Sequence, residues 1–273
     1  MKKVLSILAI AAIVFGMASC NEKNEVNPQR FKVSITDVTE TSFHLSIVPP
    51  DEEMTYVYYA FTLGTCNALE NQSGGLTATL KDMSSTTGTI DMDVNDLLPG
   101  VKYVLCVAEK DADKKEIIGE VERTRFETKS MEAKLPDFVE EGQEFLSMSG
   151  VVKFITENFF VISASYAIPE SEGMTLKMYL FIYSEKFDGH FTTDDMFSFF
   201  IFTSNVSVED SEGETEEGMR ICGADVTGTY NEETGKYTYR GYCDFFAGKE
   251  GVYRLPFESE CTVAEEAEEQ EED

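Results

Sequence analysis

The side chains able to do chemistry are few and scattered. The chain has 273 residues and only two histidines, His44 and His190. His44 alternates with the apolar Phe43 and Leu45, which places it on the solvent side of a strand. His190 sits in the polar loop Lys186-Phe187-Asp188-Gly189-His190, near Asp194 and Asp195, where an ordinary surface role is expected. No Gly-x-Ser-x-Gly elbow, His-Glu-x-x-His helix, phosphate loop or Gly-x-Gly-x-x-Gly turn occurs. Paired carboxylates could run glycoside hydrolysis, but among 51 acidic residues some pair always exists, so none is singled out. The stretch Asp91-Met92-Asp93-Val94-Asn95-Asp96 begins like a calcium loop. It lacks glycine at the sixth position, and Lys102 stands where the closing glutamate belongs. No catalytic residue, metal or other cofactor is expected.

Six cysteines occur, at 20, 66, 106, 222, 243 and 261. If Cys20 has a separate fate, five remain, and two bridges among five can be drawn in about 15 ways. Cys222 and Cys243 fall on the two arms of a hairpin in diagonal register, a poor disulfide geometry. Buried free thiols acting as small apolar residues are an equal alternative. With no Cys-x-x-Cys pair, metal ligation has little support. Of the 20 phenylalanines and 12 tyrosines, the tyrosines Tyr230, Tyr237, Tyr239 and Tyr242 of the late hairpin are the candidate ligand-binding surface. Cross-strand packing of Tyr237 and Tyr239 would explain that pair without a ligand.

The elements that must position these residues are strands. Phe31, Val33 and Ile35 alternate with polar neighbours, as do Phe43, Leu45 and Ile47 before Pro49-Pro50-Asp51. Met54 to Leu63 is an unusually aromatic strand. Residues 64–88 are rich in Gly, Ser, Thr and Asn, with one short helix supported by Leu69, Leu76, Leu80 and Met83. Alternation resumes at Thr89 to Val94. After Leu97-Leu98-Pro99-Gly100, Tyr103 opens a strand with Leu105 and Val107, placed so that its hydroxyl can bond back to the turn. Ile117 to Thr128 returns beyond the polar loop Asp111 to Lys115. Beyond a linker at 129–148, residues 149–262 contain about seven strands, which suggests a second antiparallel sandwich or small barrel. These include Phe159 to Ile168, Met174 to Tyr183, Met219 to Tyr230, Lys236 to Phe246 and Val252 to Cys261. Thr192-x-x-Asp195 is spaced as a capping box, and 193–200 reads as helix or strand. Residues 263–273 form a self-repelling acidic tail, expected to be disordered.

Residues 31–128 resemble a divergent fibronectin type III module. The resemblance rests on Leu97, Pro99, Gly100 and Tyr103, on Phe126-Glu127-Thr128, and on Thr39-x-Thr41-Ser42-Phe43. It implies a fibronectin III or immunoglobulin-like sandwich and no particular activity. The usual tryptophan is missing, since the chain has none.

At the N-terminus, Lys2 and Lys3 precede an apolar run from Val4 to Phe15 and the small residues Gly16-Met17-Ala18-Ser19 before Cys20. The run is too short for a spanning helix and has the layout of a secretory signal over residues 1–19. Met17-Ala18-Ser19-Cys20 resembles a bacterial lipobox, which implies lipidation of Cys20. Glu22 and Glu25, in a tether over 20–30, resemble the acidic export signal of Bacteroidetes-type surface lipoproteins.

The net charge of −29 repels nucleic acid and anionic head groups. Membrane contact is therefore expected through the lipid on Cys20 alone. The expectation is an all-β lipoprotein of the outer membrane, exposed at the cell surface, binding or spacing rather than catalysing. Its partner would be a glycan captured beside an uptake system. The alternatives are an adhesive or structural component that binds a surface protein, and a carboxylate-based hydrolase on the second region.

Overall fold

The computed structural model describes residues 30–264, apart from 73, 141, 170, 172, 200, 201, 211 and 213–217. The leader 1–19, Cys20, the tether up to residue 29 and the acidic tail from 265 lie outside the described residues.

The first region runs β1 (Lys32–Thr36), β2 (Phe43–Val48), β3 (Tyr56–Thr62), α1 (Leu63–Asn71), α2 (Gly75–Asp82), β4 (Ile90–Val94), β5 (Lys102–Lys110) and β6 (Ile117–Glu127). The strands form two three-stranded antiparallel sheets, ordered β1-β2-β4 and β3-β5-β6. Alternation decides which side chains face between them: Phe43, Leu45 and Ile47 from one sheet meet Tyr56, Tyr103, Leu105 and Val107 from the other. The corner forms as the spacing predicts. Tyr103 is buried, and its hydroxyl accepts the Leu98 N–H at 2.9 Å, while Gly100 takes the φ of +68° that the turn needs. Burial pushes the Tyr103 phenol up. Thr128 locks the same turn from the end of β6, donating to Leu98 O at 2.6 Å and accepting from Val101 N–H at 3.0 Å.

Strand β5 is buried on both faces. Its other face, Val104, Cys106 and Ala108, lies under the two helices and meets Cys66, Ala68 and Leu69 of α1 and Leu76 and Leu80 of α2. One short helix was expected in 64–88, and two are present, separated by Gly74 at φ +72°. Their Gly- and Thr-rich composition has weak helix propensity, so the contact with β5 supplies the stability that the local sequence lacks. Thr62 caps α1, its hydroxyl accepting from Thr65 N–H at 3.3 Å.

The second region begins with β7 (Ala133–Lys134), then β8 (Leu146–Thr156), β9 (Phe159–Ala167), β10 (Thr175–Tyr183), β11 (Gly189–Thr192), β12 (Ser198–Phe199) and β13 (Phe202–Thr203). It continues with β14 (Asn205–Glu209), β15 (Met219–Asn231), β16 (Lys236–Phe246) and β17 (Val252–Val263). Strands β8, β9, β10, β14, β15, β16 and β17 pair in chain order, and β17 returns to β8, closing an up-and-down barrel. Every pairing around the ring is antiparallel except β17 with β8. An alternating meander of odd strand number must close on one parallel pair. Inside positions alternate with outside ones along each strand, and Phe160, Ile162, Met178, Leu180, Tyr239, Cys243 and Phe257 fill the interior. Gly241 is required at its site, because a Cβ there would meet Asp225 O at 2.0 Å.

The ambiguous stretch 193–200 becomes a 3-10 turn, Thr193–Asp195, with the capping box formed: Asp195 accepts from Thr192 N–H at 2.8 Å. The short hairpin β12–β13 follows.

Sandwich and barrel share cores. Cys222 and Val252 of the barrel wall complete the sandwich core, and Phe159 and Phe197 complete the layer under the helices. Residues 129–148 take part as well: β7 pairs in parallel with the start of β17, and Val139 enters the barrel core.

Candidate functional site

The two sandwich sheets are pinned together along one side, and along the other they are bridged only at the start of β3, where Tyr56 pairs with Thr86, and open beyond it. On the closed side, Glu122 of β6 accepts from Arg30 N–H at 2.6 Å and Phe31 N–H at 3.2 Å, ahead of β1. On the open side the edges are β4 and β3. After β3 the chain turns away into α1 and α2 on the outer face, so no further strand covers that edge among the described residues. The result is a cleft of about 470 Å³ that reaches the sandwich interior.

Its inner wall is apolar, with Phe43, Leu45, Phe61 and Leu105. Tyr58 and Tyr59 of β3 stand at its mouth: the Tyr58 hydroxyl reaches Met92 Sδ across the gap at 3.7 Å, and Tyr59 is exposed with its ring 4.6 Å from that of Phe61. Asn95 and Asp96, which follow β4, line another part, and Asp96 takes a left-handed φ of +64°. The barrel supplies the remaining side through Ser198, Thr203 and Arg220. Arg220 donates to Asp96 O at 2.9 Å. The cleft therefore offers aromatic and aliphatic surface beside hydroxyl, amide, carboxylate and guanidinium groups. That combination suits a ligand with an apolar face and hydrogen-bonding edges.

Sandwich–barrel contacts hold its walls in place. Ser198 N–H donates to Thr65 Oγ1 at 3.0 Å, and Lys102 Nζ meets Asp194 at 2.6 Å, which raises the pKa of the lysine. Gly64 passes so close to the 193–198 segment that a Cβ would lie 2.3 Å from Met196 O.

The four late-hairpin tyrosines do not form one surface. Tyr230 and Tyr237 are cross-strand partners with rings 4.8 Å apart, and Tyr230 is exposed. Tyr239 is fully buried in the barrel, its hydroxyl donating to Phe187 O at 3.0 Å, so it presents nothing to solvent. Tyr242 faces the opposite side of β16, covered by Arg254, whose guanidinium lies 3.9 Å from the ring centre and is held on Asp244 by two hydrogen bonds of 2.8 Å. Period-two geometry separates Tyr242 from Tyr237 and Tyr239.

The histidines are bound to local acids. His44 lies between Asp91 at 2.6 Å and Asp93 at 2.8 Å, and hydrogen bonds to Asp93 and then Asp91 raise its pKa. His190 pairs with Asp225 at 3.0 Å. Among the described residues no group of three or more His, Cys, Asp or Glu is placed to hold a metal. All five described cysteines are free and buried. The diagonal register of the late hairpin has a physical cause: Cys222 sits in a bulge of β15 and points into the sandwich core, whereas Cys243 points into the barrel.

Sequence reasoning noted the aromatic richness of β3 but did not find the cleft. Arg220 and Asp96 are 124 residues apart, and no local pattern joins them.

No family profile and no curated protein matches the chain. Among solved structures, the central fibronectin-III array of RIM-binding protein aligns at 9% identity and a TM-score of 0.23, over 68% of this chain and 57% of that one. The chain thus spans little over half of that array. The FN1–FN3 domains of chicken CNTN1 align at 10% identity and a TM-score of 0.25, over 85% and 86% of the two chains. The N-terminal sandwich is fibronectin type III-like in its two-sheet build and its tyrosine corner.

Proposed function

We propose that the protein is a lipid-anchored lipoprotein of the outer membrane, exposed at the cell surface, that binds a glycan without transforming it. The observation that carries the binding role is the cleft between β3 and β4, where tyrosine rings stand beside Arg220, Asn95 and Asp96. Sugars present axial C–H faces to aromatic rings and hydroxyls to amides, carboxylates and guanidinium groups, so both halves of the lining have a use. Support for the anchor is the leader-like N-terminus and the lipobox resemblance at Cys20. The sandwich–barrel body would then stand off the membrane on the tether after Cys20.

Glycan-array binding by the purified chain tests this, with Tyr59→Ala and Arg220→Ala as cleft variants and Tyr230→Ala as a distant control. Loss of binding in the cleft variants, with the control unaffected, is the expected result. Binding that survives both cleft changes rules out the cleft, and turnover of any bound polysaccharide rules out the non-catalytic role. For the anchor, Cys20→Ala should abolish membrane partitioning or block processing. A processed Cys20→Ala chain that still partitions with membranes rules out the lipid.

A further inference from the structure

The five buried thiols have two kinds of surroundings, three with partners of other types and two in one cluster. Cys222 Sγ donates to Asp244 O at 3.5 Å, Cys243 Sγ lies 3.6 Å from Met178 Sδ, and Cys261 Sγ lies 3.3 Å from Ser259 Oγ. Cys66 and Cys106 instead share the buried cluster between α1 and β5, and each is the largest influence on the other's pKa. Cys106 sits in β5 opposite Tyr59 of β3 and Arg123 of β6, with its side chain toward the helices, and Cys66 of α1 meets it from above. Glu70, one helical turn beyond Cys66, accepts from Cys66 Sγ at 3.7 Å and is itself paired with Arg123.

We propose that Cys66 and Cys106 are a disulfide-forming pair that closes when the chain meets a disulfide donor, as an exported protein does, and so fastens α1 to the middle strand of its sheet. The chemistry is thiol–disulfide exchange with an oxidised dithiol protein or small-molecule disulfide as co-reactant. One of the two cysteines, as its thiolate, attacks one sulfur of the donor, forming a mixed disulfide and releasing one donor thiolate. The other cysteine gives up its proton and attacks the bonded cysteine's sulfur, releasing the second donor thiolate. The two cysteines lose two hydrogens and two electrons, and the donor disulfide becomes two thiols. With α1 docked, Cys106 lowers the pKa of Cys66, while Cys66 and burial raise that of Cys106. Both side chains are almost wholly buried, at 2% and 0% exposure, so exchange takes place before α1 docks or when it opens. Cys222 and Cys243 are excluded from a bridge because they point to opposite sides of the barrel wall.

The test uses the full chain, reduced, then oxidised with glutathione disulfide during refolding from urea. Free thiols are blocked under denaturing conditions, and the product is mapped by peptide mass without reduction. The expected product joins the Cys66 and Cys106 peptides and leaves Cys222, Cys243 and Cys261 blocked. Closing this loop should raise the melting temperature by on the order of 10 °C over the reduced chain. Blocked Cys66 and Cys106, or a bridge from either to another cysteine, overturns the proposal. Cys66→Ser should leave Cys106 blocked with no new bridge, and a Cys106 bridge to any of the other three likewise overturns it.

Discussion

Changing Tyr103 to phenylalanine removes one oxygen from the sandwich corner and nothing else. The ring keeps its place, stacked on Phe126 at 5.4 Å. What disappears is the acceptor for the Leu98 N–H, in surroundings where Leu98 is 3% and Tyr103 5% exposed. Thr128 cannot substitute, because its hydroxyl already donates to Leu98 O and accepts from Val101 N–H. A buried donor left without an acceptor costs about 1–3 kcal/mol. For a body of this size that corresponds to a fall in Tm of roughly 2–10 °C. Urea unfolding of wild type and Tyr103→Phe should show a lower midpoint at unchanged slope. Tyr58→Phe is the control: its hydroxyl touches only the Met92 sulfur near the surface, and the change should stay within about 0.5 kcal/mol. A Tyr103→Phe protein as stable as the Tyr58→Phe protein would refute the corner's role.

Gly64→Ala forces a Cβ into the Met196 and Asp194 carbonyls, so α1 or the 193–198 segment must move. A destabilisation of about 1–3 kcal/mol in denaturant titration is expected, with faster proteolysis near residue 200. Tyr239→Phe strips Phe187 O of its buried donor and should cost about 1–3 kcal/mol in the same measurement. The His44 clamp predicts a pH dependence of defined sign. Its folded pKa is raised above 6.5, so the stabilisation is complete below that value and fades as pH rises through the raised one. A wild-type minus His44→Gln stability difference that grows with pH across this range would contradict the clamp.

Much of the fold was legible because it rests on short-range pattern. Alternation placed Phe43, Leu45 and Ile47 in the sandwich core, and the Pro99-Gly100 to Tyr103 spacing specified a corner whose hydrogen bond is present. The hairpin arm Lys236–Phe246 was read with its observed bounds, with Gly235 at φ +67° ahead of it. Strands β11 and β14 escaped notice, since they are short and their partners are set by the closing of the barrel. The second helix escaped because its stability comes from packing on α1 and on the outer face of the β3-β5-β6 sheet, which its own sequence does not show.

The candidate site was not legible at all. Aromatic richness of the late hairpin suggested Tyr230, Tyr237, Tyr239 and Tyr242 as a group, yet the pleat sends Tyr242 to the other face, and barrel closure buries Tyr239. The cleft exists because β3 runs into helices instead of another edge strand and because the barrel brings Arg220 to Asp96. The sequence alone determined most of the strands and the tyrosine corner, which depend on neighbours within a few residues, and the charge, which is a sum over the composition. Which thiols meet, which aromatics reach solvent and where a ligand could sit depend on contacts across 40 to more than 100 residues, and only the folded chain decides them.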